Sequence, residues 1–175
     1  MKHLITIAPL TKKTFCTYID VGSRSYREHY LHLWKRQDPS PYIESSFTTE
    51  VLHKENMDDN IDHFIIQKAN LPVGILKIIK NSAAGSYSSG EALLLEKIYL
   101  LKAYSGQGIG KIAFDFVFDY ARELGKKALW LDVMATSPAL KVYQKIGFKK
   151  IGAKELHFLN VKDEERKMFV LSKVL

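Results

Sequence analysis

Apolar and polar residues follow two rhythms along this chain, one typical of strands and the other typical of helices. Alternation with a period of two predicts a strand, whereas apolar residues three and four positions apart predict an amphipathic helix. The sequence on this basis predicts strands over 2–8, 63–68, 72–80, 93–100, 128–134, 149–159 and 166–173. It predicts helices over 10–36, with a break at Gly22 and Ser23, over 43–53, over 108–124, and in a short segment that begins at Pro138.

The segments between these elements are short and rich in turn-forming residues. Residues 37–41 contain two prolines, and residues 55–62 and 81–90 are polar, so all three segments predict loops. The connection at Asn70-Leu71 predicts an antiparallel hairpin. No repeat or interdomain linker is evident, and 175 residues with 46% hydrophobic content are enough to form one core. We therefore expect a mixed α/β sheet in a single domain over residues 1–175.

The helix predicted over 108–124 should cover one face of the sheet. Its expected polar stripe consists of Lys111, Asp115, Asp119 and Arg122. Its expected inward face consists of Ile109, Ile112, Ala113, Phe116, Val117 and Tyr120. Gly125 follows the last apolar position and predicts the end of the helix.

Three glycines at alternate positions stand between the strand 93–100 and this helix, in the segment Tyr104–Lys111 (YSGQGIGK). Glycine tolerates positive φ and lets a ligand approach the backbone closely. The first N–H groups of the helix lack intrahelical partners, so a strand–loop–helix junction of this kind can bind an anion, most often a phosphate. The segment is not a P-loop, because Ile112 follows Lys111 where Ser or Thr is needed. An ordinary turn before a helix remains the alternative explanation.

A second motif follows further along the chain, with the spacing Ala139-x-x-x-Tyr143-x-x-x-Gly147-Phe148. Together with the glycine loop it resembles the GNAT superfamily of acetyl-CoA-dependent N-acetyltransferases over about residues 60–175. The loop departs from that family's usual pattern at Ser105, where Arg or Gln is common. The second motif departs from it at Pro138, where many relatives carry Asn.

The resemblance implies a mostly antiparallel, twisted sheet flanked by helices and a site for acetyl-CoA. The implied pyrophosphate site is formed by the amides of Gly106, Gln107, Gly108, Ile109, Gly110 and Lys111. The implied pantetheine site involves Ile98, Tyr99, Leu100, Ser137 and Tyr143. It also implies that a backbone N–H near 98–100 stabilises the oxyanion of the reaction.

Acetyl transfer to an amine requires a proton for the departing thiolate and an acceptor for the ammonium proton. Tyr143 is the candidate acid, and its alternative role is to pack beside Phe148. Glu96 is the candidate base, because a carboxylate in an apolar strand is a potential proton acceptor. Its alternative role is a solvent-exposed position or a salt bridge with lysine. Asp132, in the strand 128–134, is expected either to bind a cationic substrate or to serve as a structural hydrogen-bond partner.

The amine acceptor should be bound by the first third of the chain, where Tyr26, Tyr30 and Trp34 recur at helical spacing and Tyr42 follows them. These rings predict either a core stripe or an aromatic wall able to make cation–π contacts. The C-terminal half resembles the bacterial spermidine/spermine N-acetyltransferase branch in 96–100, Lys127-x-x-Trp130-Leu131 and Gly152-Ala153. A polyamine would suit the acidic run Glu55, Asp58, Asp59 and Asp62, if that run lines the site. Amino acids, aminosugars and peptide amines remain alternatives.

Composition and charge exclude several other classes of protein. The net charge of +7 comes from scattered basic residues interleaved with acids, so nucleic-acid binding is not expected, and part of this charge can attract CoA phosphates. The single Cys16 forms no disulfide framework and indicates a reducing interior. Residues 1–9 predict a strand with no signal peptide, and no apolar run is long enough to cross a membrane, so we expect a cytoplasmic protein.

The histidine pair His29-x-x-His32 has no further ligand cluster in the sequence, so we expect no metal site and two solvent-facing histidines. A homodimer is one oligomeric state that the sequence leaves open. Three classes of function stay under consideration. They are an N-acetyltransferase for a small amine, an acyl-CoA-binding module of low activity that Ser105 and Pro138 would favour, and a regulatory domain that binds another nucleotide.

Overall fold

A computed structural model describes residues 4–175, which form one seven-stranded sheet of order β1-β2-β3-β4-β5-β7-β6. The strands are β1 (Ile5–Pro9), β2 (Ile61–Lys68), β3 (Leu71–Ile79), β4 (Ala92–Leu100), β5 (Ala128–Met134), β6 (Lys149–Glu155) and β7 (Lys167–Val174). The α-helices are α1 (Phe15–Tyr30), α2 (Ser40–Ser46), α3 (Thr49–Glu55), α4 (Ile109–Glu123) and α5 (Ala139–Ile146). All neighbouring strands are antiparallel except β4 and β5. The prediction of a mixed, mostly antiparallel sheet is confirmed; residues 2–3 of the first predicted strand lie outside the described residues.

Successive strand residues point to opposite faces of the sheet, and a separate apolar core lies on each face. Ile66 and Leu76 pack with α4 and α5 on one face. Ile65 and Ile75 pack with α1 and the residues that follow it on the other face. The near-continuous apolar runs in β2 and β3 result from this burial on both sides.

β4 and β5 stay paired over a short distance and then separate. Their pairs are Ala92–Ala128, Leu93–Leu129 and Leu94–Trp130. Beyond these pairs β4 continues to Leu100 beside β3, and β5 continues to Met134 beside β7. A gap therefore opens in the middle of the sheet. Each of the two strands lines it with backbone groups that pair with no other strand of the described residues.

A β-bulge changes the direction of side chains in β4 at the start of this gap. Ile78 pairs with Leu95 and Lys77 pairs with Lys97, so Glu96 is an additional residue in β4. Bulges reorient the side chains beside them. Glu96 and Lys97 consequently both contact groups on the α1 face of the sheet, whereas strict alternation would have sent them to opposite faces.

The N-terminal helical region differs from the prediction in its boundaries. The helix α1 continues through Gly22, because this glycine serves packing: a Cβ there would lie 2.3 Å from Cε1 of Phe47. After Tyr30 the chain forms short 3-10 turns in place of the expected helix to residue 36. The helix predicted over 43–53 is two helices, and the first begins at Ser40 inside the expected loop. Thr48 separates them, and its hydroxyl accepts a hydrogen bond from the N–H of Val51 at 3.2 Å.

The buried face of α4 is broader than the predicted one. Its buried residues are Ile109, Ala113, Phe114, Val117, Phe118 and Ala121. The inward assignment of Ile112 is wrong, since this residue is 43% exposed. Phe114 and Phe118 are buried because Phe148, which follows α5, packs against both rings and extends the covered arc of the helix.

The strand predicted over 149–159 also ends early, because β6 stops at Glu155. The chain then leaves the sheet in a loop that Arg166 holds in place. The Arg166 guanidinium donates hydrogen bonds to the carbonyl oxygens of Leu156, Phe158, Leu159 and Val161. This loop carries His157 and Phe158 over the α1 face of the gap.

Candidate active site

Two cavities meet where β4 and β5 separate. The larger one, about 1070 Å³, opens toward the glycine loop and α5. The smaller one, about 590 Å³, lies on the α1 side of the sheet. The residues that line both are Tyr30, Ile98, Tyr99, Met134, Ser137, Ala139 and Tyr143. A long ligand in one cavity can therefore reach a second ligand in the other.

The glycine loop has the geometry of an anion site. Gly106 and Gly108 have φ values of +72° and +80°, which side chains disfavour, and Gly108 is the N-cap of α4. In the described chain, no backbone N–H from Gly106 to Lys111 donates a hydrogen bond to another residue. These donors lie at the positive end of the α4 dipole. Ser105, Gly106, Gly110 and Lys111 line the larger cavity.

The predicted loop residues do not all face that cavity with their side chains. Gln107 donates to the carbonyl oxygen of Ala103 at 2.9 Å and accepts from Lys68 at 2.6 Å, so its side chain supports the loop. Ile109 is buried in the core beneath α4. Gln107 and Ile109 can therefore bind a ligand in this cavity only through their backbone N–H groups.

Tyr143 projects from α5 into the junction of the two cavities. Its ring packs edge-on against Phe114 at 5.5 Å and contacts Phe148 at 6.1 Å between centroids. Burial raises the pKa of the Tyr143 phenol, so the phenol stays protonated at neutral pH. Ser137, at the start of this segment, accepts a hydrogen bond from the N–H of Ala139 at 3.2 Å. The packing role and a role in proton transfer are thus compatible in one side chain.

The exposed edge of β4 forms the wall between the cavities. Ile98, Tyr99 and Leu100 line the larger cavity. Their contact with a cofactor stays a prediction. His29 also reaches this strand, and its Nε2 lies 2.9 Å from the carbonyl oxygen of Leu100. The expectation of two solvent-facing histidines is therefore wrong for His29, which is half-buried in a tertiary contact, and His32 is the exposed one.

Glu96 lies in a network of charges on the floor of the smaller cavity. Its Oε2 is 2.6 Å from Nζ of Lys77 and 2.9 Å from Nζ of Lys97. Lys77 also contacts Glu55 at 2.5 Å, and Glu55 contacts His63 at 2.7 Å. Burial opposes ionisation of Glu96, but the charges of Lys97 and Lys77 outweigh it and lower its pKa to about 2. Glu96 is therefore ionised across the physiological pH range and is a weak proton acceptor.

The aromatic residues of the first third form one cluster that both fills the core and lines the smaller cavity. Tyr26 stacks on Tyr42 at 4.1 Å between centroids, and its hydroxyl accepts a hydrogen bond from Nε1 of Trp34 at 3.0 Å. Trp34 is fully buried and Tyr26 nearly so. Tyr30 is less buried and borders both cavities. The alternatives of core stripe and aromatic wall are consequently not exclusive.

Several cavity residues carried no clear signal in the sequence. Phe158 comes from a segment that was expected to be a strand, and Lys77 and Lys97 lie inside apolar strands. The one sequence feature that could have indicated these two lysines is their place in the middle of an apolar strand, because a buried lysine needs a partner of opposite charge. Tyr42, which the sequence places after Tyr26, Tyr30 and Trp34, lines the smaller cavity together with them. Of the acidic run at 55–62, Glu55 borders the cavity, whereas Asp62 accepts a hydrogen bond from Tyr120 on the opposite face.

Among residues 4–175, no three His, Cys, Asp or Glu side chains gather closely enough to hold a metal ion. No helix in the same residues has the length and apolar character that a membrane crossing requires.

Comparisons with known proteins agree with this geometry. The chain is 22% identical over 172 residues to an uncharacterized N-acetyltransferase in the pepI 3' region of Lactobacillus delbrueckii subsp. lactis, covering 98% of each chain. Its structure is similar to the PaiA N-acetyltransferase of Thermoplasma acidophilum in complex with coenzyme A, with a TM-score of 0.78, 19% identity, and 98% and 99% of the chains covered. It is also similar to the Vibrio cholerae spermidine N-acetyltransferase in complex with CoA and spermine, with a TM-score of 0.72, 15% identity, and 97% and 95% covered.

The model of the acetyltransferase (GNAT) family matches residues 27–148, which is more than half of the chain. This match extends into the first third, where the motifs alone gave little indication of the family. The chain therefore belongs to the GNAT acetyltransferase family, whose members are enzymes that take the acetyl group from acetyl-CoA.

Proposed function

We propose that this N-acetyltransferase moves the acetyl group of acetyl-CoA directly to a primary amine of a small molecule, with both substrates bound at once. The observation that carries the proposal is the meeting of two cavities beside Tyr143 and the edge of β4. The larger cavity, at about 1070 Å³, extends along the glycine loop and α5. The smaller one, at about 590 Å³, has the size of a small-molecule site.

In this proposal the larger cavity holds acetyl-CoA. The pyrophosphate lies on the amides of Gly106–Lys111, which have no other partners in the described chain. The pantetheine arm follows the β4 edge at Ile98, Tyr99 and Leu100 and passes Ser137 on its way to Tyr143. Because the contacts to the pyrophosphate are made by backbone, Ser105 in place of a longer polar side chain leaves them intact.

The reaction needs an oxyanion donor and a proton for the departing sulfur. A backbone N–H of β4 around 98–100 supplies the oxyanion donor, since the edge of β4 that faces the gap has no strand partner there among residues 4–175. Tyr143 supplies the proton. A thiol has a reference pKa of about 8.5 and a phenol about 10. Burial raises both pKa values in one cavity, because it disfavours both anions, so the surroundings that keep the phenol protonated also make the thiolate a stronger proton acceptor.

The role of Glu96 as the general base stays a hypothesis, and its two lysine neighbours argue against it. Protonation of Glu96 would leave Lys77 and Lys97 beside a neutral partner in a buried site, which is costly. We therefore give Glu96 the role of balancing these two lysines. A Glu96→Gln variant tests the base role, because a base would lose turnover at unchanged acetyl-CoA affinity.

For the acceptor, we propose an aliphatic amine, with a polyamine as the first compound to test. Tyr26, Tyr30 and Trp34 line the smaller cavity with rings, and Glu55 and Glu96 line it with carboxylates. The Vibrio cholerae relative is described with spermine bound. Lys77 and Lys97 line the same cavity, and their positive charge opposes the binding of a cationic acceptor. Peptide amines are the alternative acceptor. The chain is 29% identical over 87 residues to a [ribosomal protein bS18]-alanine N-acetyltransferase of Haemophilus influenzae, which suggests this alternative.

Two measurements test this function. Calorimetric titration with acetyl-CoA, CoA and ATP should give binding of the first two, and preferential binding of ATP would instead support a nucleotide-binding domain. Thiol release should then be followed with spermidine, putrescine, lysine, an aminosugar and a short peptide. Turnover of the peptide alone would overturn the small-amine proposal, and binding of acetyl-CoA without turnover of any amine would favour the low-activity module.

The cytoplasmic location and the homodimer stay predictions. Light scattering after size-exclusion chromatography, with and without acetyl-CoA, measures the oligomeric state directly.

A further inference from the structure

Asp132 carries a buried carboxylate oxygen, Oδ1, that has no hydrogen-bond partner among the described residues. It lies on β5 two residues beyond Trp130, where pairing with β4 has ended. At this point the gap is open, and Asp132 lines the smaller cavity together with Tyr143. Buried polar atoms are rarely left without a partner. A partner that comes from outside the chain would account for this one.

The carboxylates on the two strands that border the gap differ in what already binds them. Glu96, on β4, is contacted by the two buried lysines Lys77 and Lys97. Asp132, on β5, is contacted through Oδ2 by Lys154, whose side chain is 47% exposed to solvent. Solvent weakens an ion pair with an exposed lysine. Asp132 is therefore the carboxylate that keeps more capacity to bind an incoming cation.

We propose, on the basis of the proposed acetyl transfer, that Oδ1 of Asp132 binds the ammonium group of the acceptor and takes one proton from it. The neutral nitrogen then attacks the thioester carbon, so a C–N bond forms and the C–S bond breaks. The sulfur receives the phenolic proton of Tyr143, and the second proton of the attacking nitrogen returns to the phenolate. The proton on Asp132 leaves to water, so one proton is released per amide and thiol formed.

This role predicts the class of the acceptor. An aliphatic primary amine is protonated at neutral pH, so it needs a carboxylate both to bind and to become nucleophilic. An aromatic amine is already neutral at this pH and needs neither. The enzyme should consequently select basic aliphatic amines, and Asp132 should be the residue on which that selection depends.

The test compares Asp132→Asn, which keeps the size of the side chain and removes its charge, with Lys154→Met, which breaks the same ion pair and keeps the carboxylate. Thiol release is measured with an aliphatic and an aromatic amine, and acetyl-CoA affinity by calorimetry. For Asp132→Asn we expect kcat/KM to fall by about 10²–10⁴-fold for the aliphatic amine and far less for the aromatic one, at unchanged acetyl-CoA affinity. Lys154→Met should preserve the preference for the aliphatic amine.

Equal losses in the two variants, or equal losses for the two amines, would show that Asp132 has only a structural role and would overturn the inference. Should Asp132→Asn fail to fold, Asp132→Glu keeps the charge and displaces the oxygens, and it should lose turnover of the aliphatic amine. If the wild-type protein turns over no amine, the proposed function fails. Calorimetric binding of the aliphatic amine to the CoA complex then decides the inference: weaker binding to Asp132→Asn supports it, and equal binding or none to either protein overturns it.

Discussion

At the scale of single residues, burial and charged neighbours decide the chemistry of Tyr143 and Glu96. Both were found in the sequence from motif and strand context. The sequence also offered a salt bridge of Glu96 with lysine and packing of Tyr143 beside Phe148, and both contacts are present. It did not identify Lys77 as a partner, because Lys77 reaches Glu96 from another strand, and the bulge that reorients Glu96 leaves no local pattern. Sequence reasoning can thus name a titratable residue in a site, whereas its protonation state depends on contacts that only the folded chain brings together.

Replacement of Tyr143 by Phe removes the phenolic proton and keeps the packing against Phe114 and Phe148. We expect kcat to fall by about 10²–10⁴-fold while acetyl-CoA affinity stays nearly constant. Steady-state kinetics and calorimetry measure the two effects. Tyr87→Phe, the same chemical change at a residue outside both cavities, is the control and should have no effect. A loss of turnover below about threefold in Tyr143→Phe would assign this residue to packing alone.

The ionised form of Glu96 should make the protein less stable as pH falls through the acidic range. Its folded-state pKa of about 2 lies below its ordinary value of 4.5, so its contribution to the free energy of unfolding is complete above pH 4.5. That contribution should be lost progressively as pH falls from 4.5 toward 2. Denaturant unfolding at several pH values should show a smaller decline over this window in Glu96→Gln than in the wild type. Equal slopes would mean that the two lysines do not hold Glu96 ionised.

At the scale of elements, strong periodicity and glycine spacing were the most reliable predictors. All seven strands and the long helix after the glycine loop were anticipated. The helix α4 and the strands β2 to β5 each contain several buried apolar residues. β6 was anticipated without such a buried face, because all its residues are at least partly exposed. The errors concern elements whose limits depend on distant partners. The helix α1 passes through Gly22 because Phe47 packs on it, and β6 ends at Glu155 because Arg166 holds the next residues in a loop.

Gly108 lies where the connection from β4 meets α4, and its backbone is left-handed, with φ +80°. No atom of residues 4–175 outside the adjoining chain segment lies within 4 Å of the place that a Cβ would occupy. Substitution by Val therefore acts through backbone strain and not through a clash. We expect Gly108→Val to weaken acetyl-CoA binding by about 1–3 kcal/mol, through strain and loss of amide contacts. Gly90→Val is the matched control, because Gly90 has equally open space and lacks a positive φ. Unchanged affinity in a folded Gly108→Val protein would remove the loop from the cofactor site.

At the scale of the whole molecule, the net charge of +7 should speed the arrival of an anionic cofactor. The association rate of acetyl-CoA, measured by stopped flow, should fall as salt rises from about 0.01 M to about 1 M, over which the Debye length shrinks from about 30 Å to about 3 Å. Acetyl-pantetheine, which lacks the phosphates, is the control and should associate at a rate that salt hardly changes. An equal salt dependence for both compounds would exclude attraction by the net charge.

The position of β7 between β5 and β6 also constrains how the molecule can be made. A ribosome releases β5 and β6 before β7, yet these two strands touch through β7 and not through each other. The first four strands and α1 can assemble early, since their partners follow one another in the chain. The part of the sheet beyond the gap, formed by β5, β7 and β6, can assemble only after residues 167–174 have been made. A nascent chain should therefore hold the glycine loop well before it holds an enclosed acceptor cavity, and catalytic competence should appear in a single late step.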